Sequence, residues 1–297
     1  MTHLLLRVQL ESHMYLLMPL HFKIIFFLFF ATKGMSTGLQ FLTIPSSAKD
    51  LIFFQTPLLN PAFLNTFNRS PEMSFAYGKW FADSENISFN WSGQVRSTSA
   101  GLIMRYIGIN DIELRADVPS SQPLGHYGAY GVSAKTLASF QSSKFRYGVA
   151  LQVISIQLYQ ESSTGIAGDF GMSWLINESL TLSGSLLNFG KMNILYEQKP
   201  TLPQRAIGII NYKRTKSDLF ASIEFNELIK NPIFFFGSTA RKDNLSLGAT
   251  LMMNDATYSL STGAGFSVGR YTFSYALQYG NQEIGVPQMF DISFRLP

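Results

Sequence analysis

The chain has 297 residues, no cysteine and only 14% charged residues, against roughly 25% in ordinary soluble domains. The lack of cysteine excludes disulfide frameworks, thiolate metal sites, catalytic thiols and the lipid-modified cysteine of a lipoprotein anchor. The net charge of +4 comes without any lysine- and arginine-rich stripe, so the composition does not favour nucleic-acid binding.

The hydropathy of the chain favours a β-barrel over a helical membrane protein. Aromatic residues make up 14% of the sequence, and the mean hydropathy is only +0.10. No stretch reaches the roughly 20 consecutive apolar residues that a transmembrane helix needs. A transmembrane barrel stays near neutral because apolar and polar residues alternate along its strands.

Residues 1–37 carry the pattern of a secretory signal peptide. A positive residue precedes eight apolar residues, Ile24–Ala31, and small and polar residues follow them. As a helix this apolar run would extend only about 12 Å, too short to cross a bilayer. We expect cleavage between Ala31 and Gly38, with Met14 or Met18 as the true start and the residues before it as a surplus extension. A core helix or a short anchor is the alternative.

Residues 38–71 form an apolar segment that is rich in proline and asparagine and has no alternation of its own. We expect this segment to fold against or into one mouth of a barrel as a plug, because it is too apolar to extend freely into water. The apolar runs Leu51–Phe54 and Leu58–Leu59 could line a lipophilic pocket, although packing of the plug is the simpler explanation.

From Glu72 onward, alternation with a period of two predicts about fourteen β-strands in residues 72–297. Short strands are expected near Phe75 and Phe89, and a further one near Glu113. Longer strands are expected at Val95–Ile109, Tyr127–Phe140, Phe145–Tyr159, Ile166–Ile176, Leu180–Phe189, Ala206–Tyr212, Leu219–Phe225, Ile233–Ala240, Leu245–Met253, Tyr258–Val268, Tyr271–Tyr279 and Met289–Leu296. Turns are expected at Asn177–Glu178, Lys216–Asp218, Lys242–Asn244, Asn254–Asp255 and Gly280–Asn281.

A soluble β-sandwich shows the same alternation, so further arguments are needed to choose a membrane barrel. The chain carries an export signal and does not divide into domains of soluble size. Aromatic residues near the strand ends would form the girdles of a membrane barrel. They are Trp80–Phe81, Trp91, Tyr159, Trp174, Tyr271 and Tyr279. The sequence therefore predicts an all-β, transmembrane antiparallel barrel, surrounded by the lipid of a bacterial outer membrane.

Candidate catalytic and metal-binding residues are sparse. Three of the four histidines lie in the first 21 residues, so a Ser-His-Asp system or a histidine metal site would have to use His126. An exposed histidine in a turn before a strand is the simpler interpretation. Asp169 with Glu178, and Asp111 with Glu113, come nearest to paired carboxylates, and we expect them to be solvated. We therefore predict no enzymatic activity, no catalytic residue, no metal and no organic cofactor.

Short motifs along the chain resemble the PorV/PorQ family of outer-membrane proteins. Near the N-terminus they comprise Phe41, Leu42, Pro45, Ser47 and Ala48, followed by Asn60-Pro61-Ala62. Further on they comprise Phe75–Phe81, Asp169 with Gly171, Asn188 with Gly190, and Pro200 and Pro203 ahead of Gly208. The chain has Asp50–Phe53 where family members carry a glycine pair, and it ends in Leu296-Pro297 rather than an aromatic residue. The choice between PorV and PorQ therefore stays open.

The resemblance implies a FadL-like barrel of about fourteen strands with an N-terminal hatch at residues 38–71. Asn60-Pro61-Ala62, with Pro45, Ser47 and Ala48, would form the hatch motif, in which a rigid turn and the Asn side chain satisfy backbone groups. The resemblance also implies a role in type IX secretion, with cargo that bears C-terminal sorting domains or with subunits of the secretion system.

Two functions therefore follow from the sequence. The first is a secretion accessory, with the loops at Asn110–His126 and Tyr196–Gln204 long enough to hold a partner. The second is a FadL-like channel for hydrophobic small molecules. The family pattern favours the secretion role.

Overall fold

The computed structural model describes residues 39–53, 55–64, 70–96, 98–115, 122–255, 257–282 and 284–297. The expected signal peptide lies outside these residues. Among them, no helix is long and apolar enough to cross a lipid bilayer.

Fourteen antiparallel strands form one closed barrel, in which each strand pairs with its neighbours in sequence and β1 pairs with β14. The strands are β1 (Glu72–Lys79), β2 (Glu85–Val95), β3 (Thr98–Leu114), β4 (Gly125–Ser142), β5 (Phe145–Leu158), β6 (Glu161–Leu175), β7 (Leu180–Met192), β8 (Arg205–Lys213), β9 (Ser217–Asn226), β10 (Ile229–Lys242), β11 (Leu245–Met253), β12 (Tyr258–Val268), β13 (Tyr271–Gly280) and β14 (Gln288–Arg295). The predicted fold class, an all-β transmembrane antiparallel barrel of about fourteen strands, is confirmed.

The two ends of the barrel differ in the length of their connections. At one end, which we call the short-turn end, two to four residues join β2 to β3, β4 to β5, and each later pair up to β12 and β13. At the other end, the long-loop end, connections reach ten residues between β3 and β4 and twelve between β7 and β8. Barrels of the outer membrane have short periplasmic turns and longer extracellular loops. The first strand begins, and the last strand ends, at the short-turn end.

The strands present an apolar face to the outside, whereas their lumenal face carries both polar and apolar residues. On β5 the exposed residues include Tyr147, Val149, Leu151 and Val153, whereas Gln152 between them is buried. On β12 the outward Leu260 and Phe266 alternate with inward serines and glycines. This alternation gives the barrel an apolar outer surface, which lipid would cover.

Exposed aromatic rings lie at both ends of the apolar surface, and they include four of the predicted girdle residues, Tyr159, Trp174, Tyr271 and Tyr279. Phe81 and Trp91 are only partly exposed. Phe145 and Trp174 stack at the short-turn end with ring centroids 5.7 Å apart, and Tyr159 and Tyr279 are exposed at the long-loop end. Trp80 does not join a girdle, because its ring is partly buried and packs against two apolar clusters of the lumen. The prediction for Trp80 was therefore wrong.

Three predicted boundaries were also wrong. The strand expected from Val95 is interrupted, since β2 ends there and β3 begins at Thr98. No separate strand lies at Glu113, because β3 runs to Leu114. A β-bulge between Ile109 and Ile112 accounts for the break in the alternation of apolar and polar residues. Asp218 lies in β9 rather than in a turn, and its carboxylate is buried.

Residues 39–53 and 55–64 lie inside the barrel, and we call them the lumenal segment. It contains two short 3-10 helices, Gln40–Leu42 and Pro61–Phe63, and one α-helix, Ala48–Ile52. Its first residues pack against Leu195 and Leu202 of the long-loop end. From there the segment passes along the lumen, and the chain enters β1 at the short-turn end.

Candidate functional site

The lumenal segment is mostly irregular, so its backbone groups need partners from outside the segment. Side chains of the wall supply them. Ser88 donates to Ser46 O at 2.7 Å, Ser185 donates to Leu59 O at 2.6 Å, and Asn86 donates to Pro45 O at 2.8 Å. These contacts come from β2 and β7, which lie well apart in the barrel. The segment is therefore attached to the wall around its circumference.

Arg105 of β3 holds the beginning of the segment. Its Nη2 atom donates to the backbone oxygens of Phe41 at 3.0 Å and Ile44 at 2.5 Å. The guanidinium is buried, and among the described residues no carboxylate lies within ion-pair distance of it. Two carbonyl oxygens thus stabilise a buried charge, and this charge fixes their positions in return.

The helix Ala48–Ile52 is held at its N-terminal end by the last strand of the barrel. Ser47 is the N-cap, and its hydroxyl accepts from Asp50 N at 3.2 Å. Asp291 of β14 accepts from the backbone nitrogens of Ala48 at 2.7 Å and Lys49 at 3.0 Å. Because these N–H groups have no partner within the helix, a carboxylate at this position stabilises the helix start.

Asn60 is the most completely bonded polar residue of the segment. Its side chain is fully buried, and its Oδ1 accepts from Ala62 N at 2.9 Å. Its Nδ2 donates to two backbone oxygens of the wall, Met172 O at 3.2 Å and Gly184 O at 3.1 Å. Pro61 and Ala62 follow as a buried 3-10 turn. The six residues of the expected hatch motif therefore lie in the lumen, each in contact with the wall or with the capped helix beside it.

Two glycines of the wall leave space for this turn. A Cβ atom on Gly148 would lie 2.6 Å from Pro61 O and closer still to Ala62 N. A Cβ atom on Gly171 would lie 2.9 Å from Asn60 Cγ. Side chains at these positions would displace the turn, since real Cβ atoms do not approach so closely. Gly171 thus has a steric role that its short motif did not reveal.

Ion pairs join side chains of different strands on the lumenal face of the barrel wall. Lys135 Nζ lies 2.5 Å from Asp169 Oδ2, with side chains only 5% and 1% exposed. Arg205 binds Glu224 through two hydrogen bonds, at 2.8 and 2.6 Å. Asp169 also accepts from Asn188 N at 2.7 Å, at a β-bulge in β7. The expectation that Asp169 is solvated was wrong, because alternation turns it into the lumen.

An apolar cavity of about 230 Å³ lies near the long-loop end. Phe41, Ile107, Ile109, Ala129, Ile156, Leu158 and Leu195 line it, with glycines 108 and 131. Its three polar side chains have partners within the protein. Ser84 donates to Phe81 O at 2.9 Å, Tyr130 donates to Gln157 Oε1, and Gln157 donates to Tyr159 O at 3.2 Å. The cavity therefore offers a ligand apolar surface and no unused hydrogen-bonding side chain.

The cavities at the short-turn end contain charged side chains as well as apolar ones. One of about 320 Å³ is lined by Lys49, Glu72, Asp218 and Arg241 among hydroxyl-bearing side chains. Two ion pairs balance these charges: Lys49 lies 3.1 Å from Glu72, and Arg241 lies 2.9 Å from Asp218. Charged groups thus line this cavity but not the cavity near the long-loop end, and the lumenal segment contributes residues to both.

His126 lies outside the lumenal site. Its Nδ1 atom is 2.6 Å from Asp111 Oδ1, and both side chains are exposed at the long-loop end. Among the described residues, no three histidine or carboxylate groups come close enough to hold a metal ion. The loop expected at Asn110–His126 is shorter than predicted, because β3 and β4 take up both of its ends. The loop containing Tyr196–Gln204 spans residues 193–204, as a connection between β7 and β8.

No protein-family model and no curated protein sequence matches this chain. Solved structures do resemble it. The toluene transporter TodX of Pseudomonas putida matches with a TM-score of 0.61 at 9% identity, over 89% of this chain and 97% of that chain. A deltaS2 mutant of TodX, described as a monoaromatic hydrocarbon channel, matches with a TM-score of 0.58 at 8% identity, over 80% and 93%. At such identities the likeness concerns the fold, and it agrees with the FadL-like barrel that the sequence motifs imply.

Proposed function

We propose that this protein is an outer-membrane channel that takes up hydrophobic small molecules through the apolar cavity near the long-loop end. The observation that carries the proposal is the chemistry of that cavity. Burial of apolar surface contributes about 25 cal/mol per Å², and no polar side chain of the lining is left for a ligand to satisfy. Hydrocarbon-like molecules gain most from such a site, whereas a sugar or an amino acid would lose hydrogen bonds with water.

The fold supports the same proposal. TodX, which the barrel resembles over most of both chains, is a toluene transporter. The lumenal segment acts as the hatch. Phe41 lines one side of the cavity, and the hydrogen bonds from Arg105 to Phe41 O and from Asn60 to Met172 O keep the segment in place. Export by the N-terminal signal peptide would deliver the chain to the outer membrane.

A cavity-filling variant tests the proposal. Ala129 lines the cavity, so Ala129→Phe should fill part of it and slow the uptake of labelled toluene or naphthalene by whole cells several-fold. Ala264→Phe is the matched control, because Ala264 is exposed on the outward face of β12. Both variants should show the heat-dependent gel migration of a folded barrel. Normal uptake by folded Ala129→Phe would contradict the proposal.

The secretion role is the second candidate, and the short PorV/PorQ motifs are its support. Deletion of the protein separates the two functions. If proteins with C-terminal sorting domains disappear from the cell surface while hydrocarbon uptake stays normal, the secretion role replaces the channel.

A further inference from the structure

The two ends of the barrel differ in charge. The difference concerns the charged side chains of described residues that lie in the connections or within two residues of a strand end. The short-turn end has ten lysines and arginines against four carboxylates. The long-loop end has six against eight. The modest net charge of the whole chain therefore conceals one strongly basic end.

Six of the ten cations lie in turns or on the outward face, and all six are exposed. We call them the basic rim: Arg96, Lys144, Arg214, Lys216, Lys242 and Arg270. The rim extends from the turn between β2 and β3 to the turn between β12 and β13. Its members are thus distributed along most of the circumference and are not gathered in one patch.

The aromatic girdle fixes the depth of the rim relative to a bilayer. Phe145, Tyr212 and Tyr271 are exposed, outward-facing residues at strand ends. Lys144 directly precedes Phe145, Arg270 directly precedes Tyr271, and Arg214 lies two residues after Tyr212. Aromatic rings of membrane proteins lie at the level of the lipid headgroups. A cation one or two residues further along the strand lies about 3–7 Å further out, which is the level of the lipid phosphates.

We propose that the basic rim binds the headgroups of anionic phospholipids in the leaflet that surrounds the short-turn end. Charge complementarity supports this partner, as does the distribution of the cations around the circumference, since an acidic protein would need a single patch. The proposal requires only that the barrel spans a membrane, and it is independent of the ligand of the apolar cavity.

Tryptophan fluorescence offers a local readout. Trp174 is exposed at the short-turn end, and Lys144 lies in the turn before its neighbour Phe145. The turn with Arg214 and Lys216 is close as well, because Lys213 N donates to Ser179 O in the turn that follows β6. With Trp80→Phe and Trp91→Phe, Trp174 remains as the sole tryptophan. This protein would be reconstituted in phosphatidylcholine vesicles that contain a brominated quencher lipid, either phosphatidylglycerol or phosphatidylcholine.

Brominated phosphatidylglycerol should quench Trp174 more strongly than brominated phosphatidylcholine, and salt should weaken the preference. Lys144→Gln/Arg214→Gln/Lys216→Gln should lower the preference at least about fivefold, since each cation near an anionic surface contributes on the order of 1 kcal/mol. The matched control is Lys79→Gln/Lys191→Gln/Lys199→Gln, which removes three exposed lysines from the long-loop end. It should keep the full preference. An equal loss in both variants, or no preference in the parent protein, would overturn the proposal, and heat-dependent gel migration verifies folding in each case.

Discussion

The amide of Asn60 lies directly against the backbone of Gly171, with no room for a Cβ atom between the lumenal segment and β6. Gly171→Ala should therefore displace the Asn60 turn and lower the free energy of unfolding by about 1–3 kcal/mol, the usual cost of overpacking. Urea unfolding in detergent micelles measures the change. Gly168→Ala on the same strand is the control, because its Cβ would lie 3.6 Å from the nearest atom. Equal free energies of unfolding for the two variants would mean that the lumenal segment is not closely packed against Gly171.

Asn60→Ala should lower the free energy of unfolding more than the removal of an exposed side-chain amide does. It leaves Ala62 N without its partner and removes two donors from the carbonyl oxygens of the wall. Each buried group left without a partner costs about 1–3 kcal/mol. Asn177→Ala is the comparison, since the side chain of Asn177 is also bonded to the backbone, accepting from two N–H groups, but lies in an exposed turn. The prediction fails if both variants unfold at the same urea concentration.

The contributions of Lys135 and Asp169 to the free energy of unfolding should depend on each other, because the two side chains form a buried ion pair. Lys135→Met leaves the carboxylate of Asp169 buried without its cation, and removal of one partner from a buried pair costs about 3–5 kcal/mol. Asp169→Asn added to Lys135→Met should recover much of the stability, because the amide oxygen can still accept from Asn188 N. A double-mutant cycle on the unfolding free energies measures the coupling. Additive effects of the two substitutions would argue against a shared role.

Arg105→Met should loosen the start of the lumenal segment while the barrel stays closed. The substitution frees the carbonyl oxygens of Phe41 and Ile44, which no other side chain of the described wall holds. We expect a larger and noisier ion conductance in planar bilayers, with unchanged heat-dependent gel migration. Arg146→Met serves as the control, since Arg146 donates to Gln141 at the short-turn end and, in the described part of the chain, not to the lumenal segment. Unchanged conductance in Arg105→Met would show that other contacts suffice to hold the segment.

His126→Ala should leave uptake and stability unchanged, because the pair with Asp111 is exposed and neither residue lines the lumenal cavity. An exposed ion pair contributes at most about 1 kcal/mol. The same variant tests the prediction that the protein has no enzymatic activity. Ester hydrolysis by the purified protein that is lost in His126→Ala would make the protein an enzyme.

The strands could be predicted from the sequence because alternation is a local pattern. Leu245–Met253 and Tyr258–Val268 were predicted with the bounds that the structure shows. The prediction failed at positions where contacts between residues distant in the sequence determine the conformation. The bulge in β3 restores the alternation beyond Ile109 and thereby extends the strand, and Trp80 turns inward because apolar clusters of the lumen receive it.

The site was less predictable than the wall. Polar residues on a lumenal face look like solvated residues in a sequence, since alternation does not tell what fills the lumen. Asp169 was therefore assigned to solvent and Asp218 to a turn, although both form ion pairs inside the barrel. The roles of Arg105 and Asp291 depend on contacts across more than 60 and 240 residues of chain, respectively, and no local pattern encodes them.

Lys49 bridges the seam at which the barrel closes. Its ammonium group binds Glu72, the first residue of β1, and Ser293 of β14, while Asp291 of β14 accepts from the backbone of the same helix. The first and last strands can meet only after the whole chain has been made, whereas the lumenal segment is synthesised before either of them. The segment thus contributes contacts to the last pairing event of assembly. A chain without this segment would lose the side chain that joins the two edges of its own sheet.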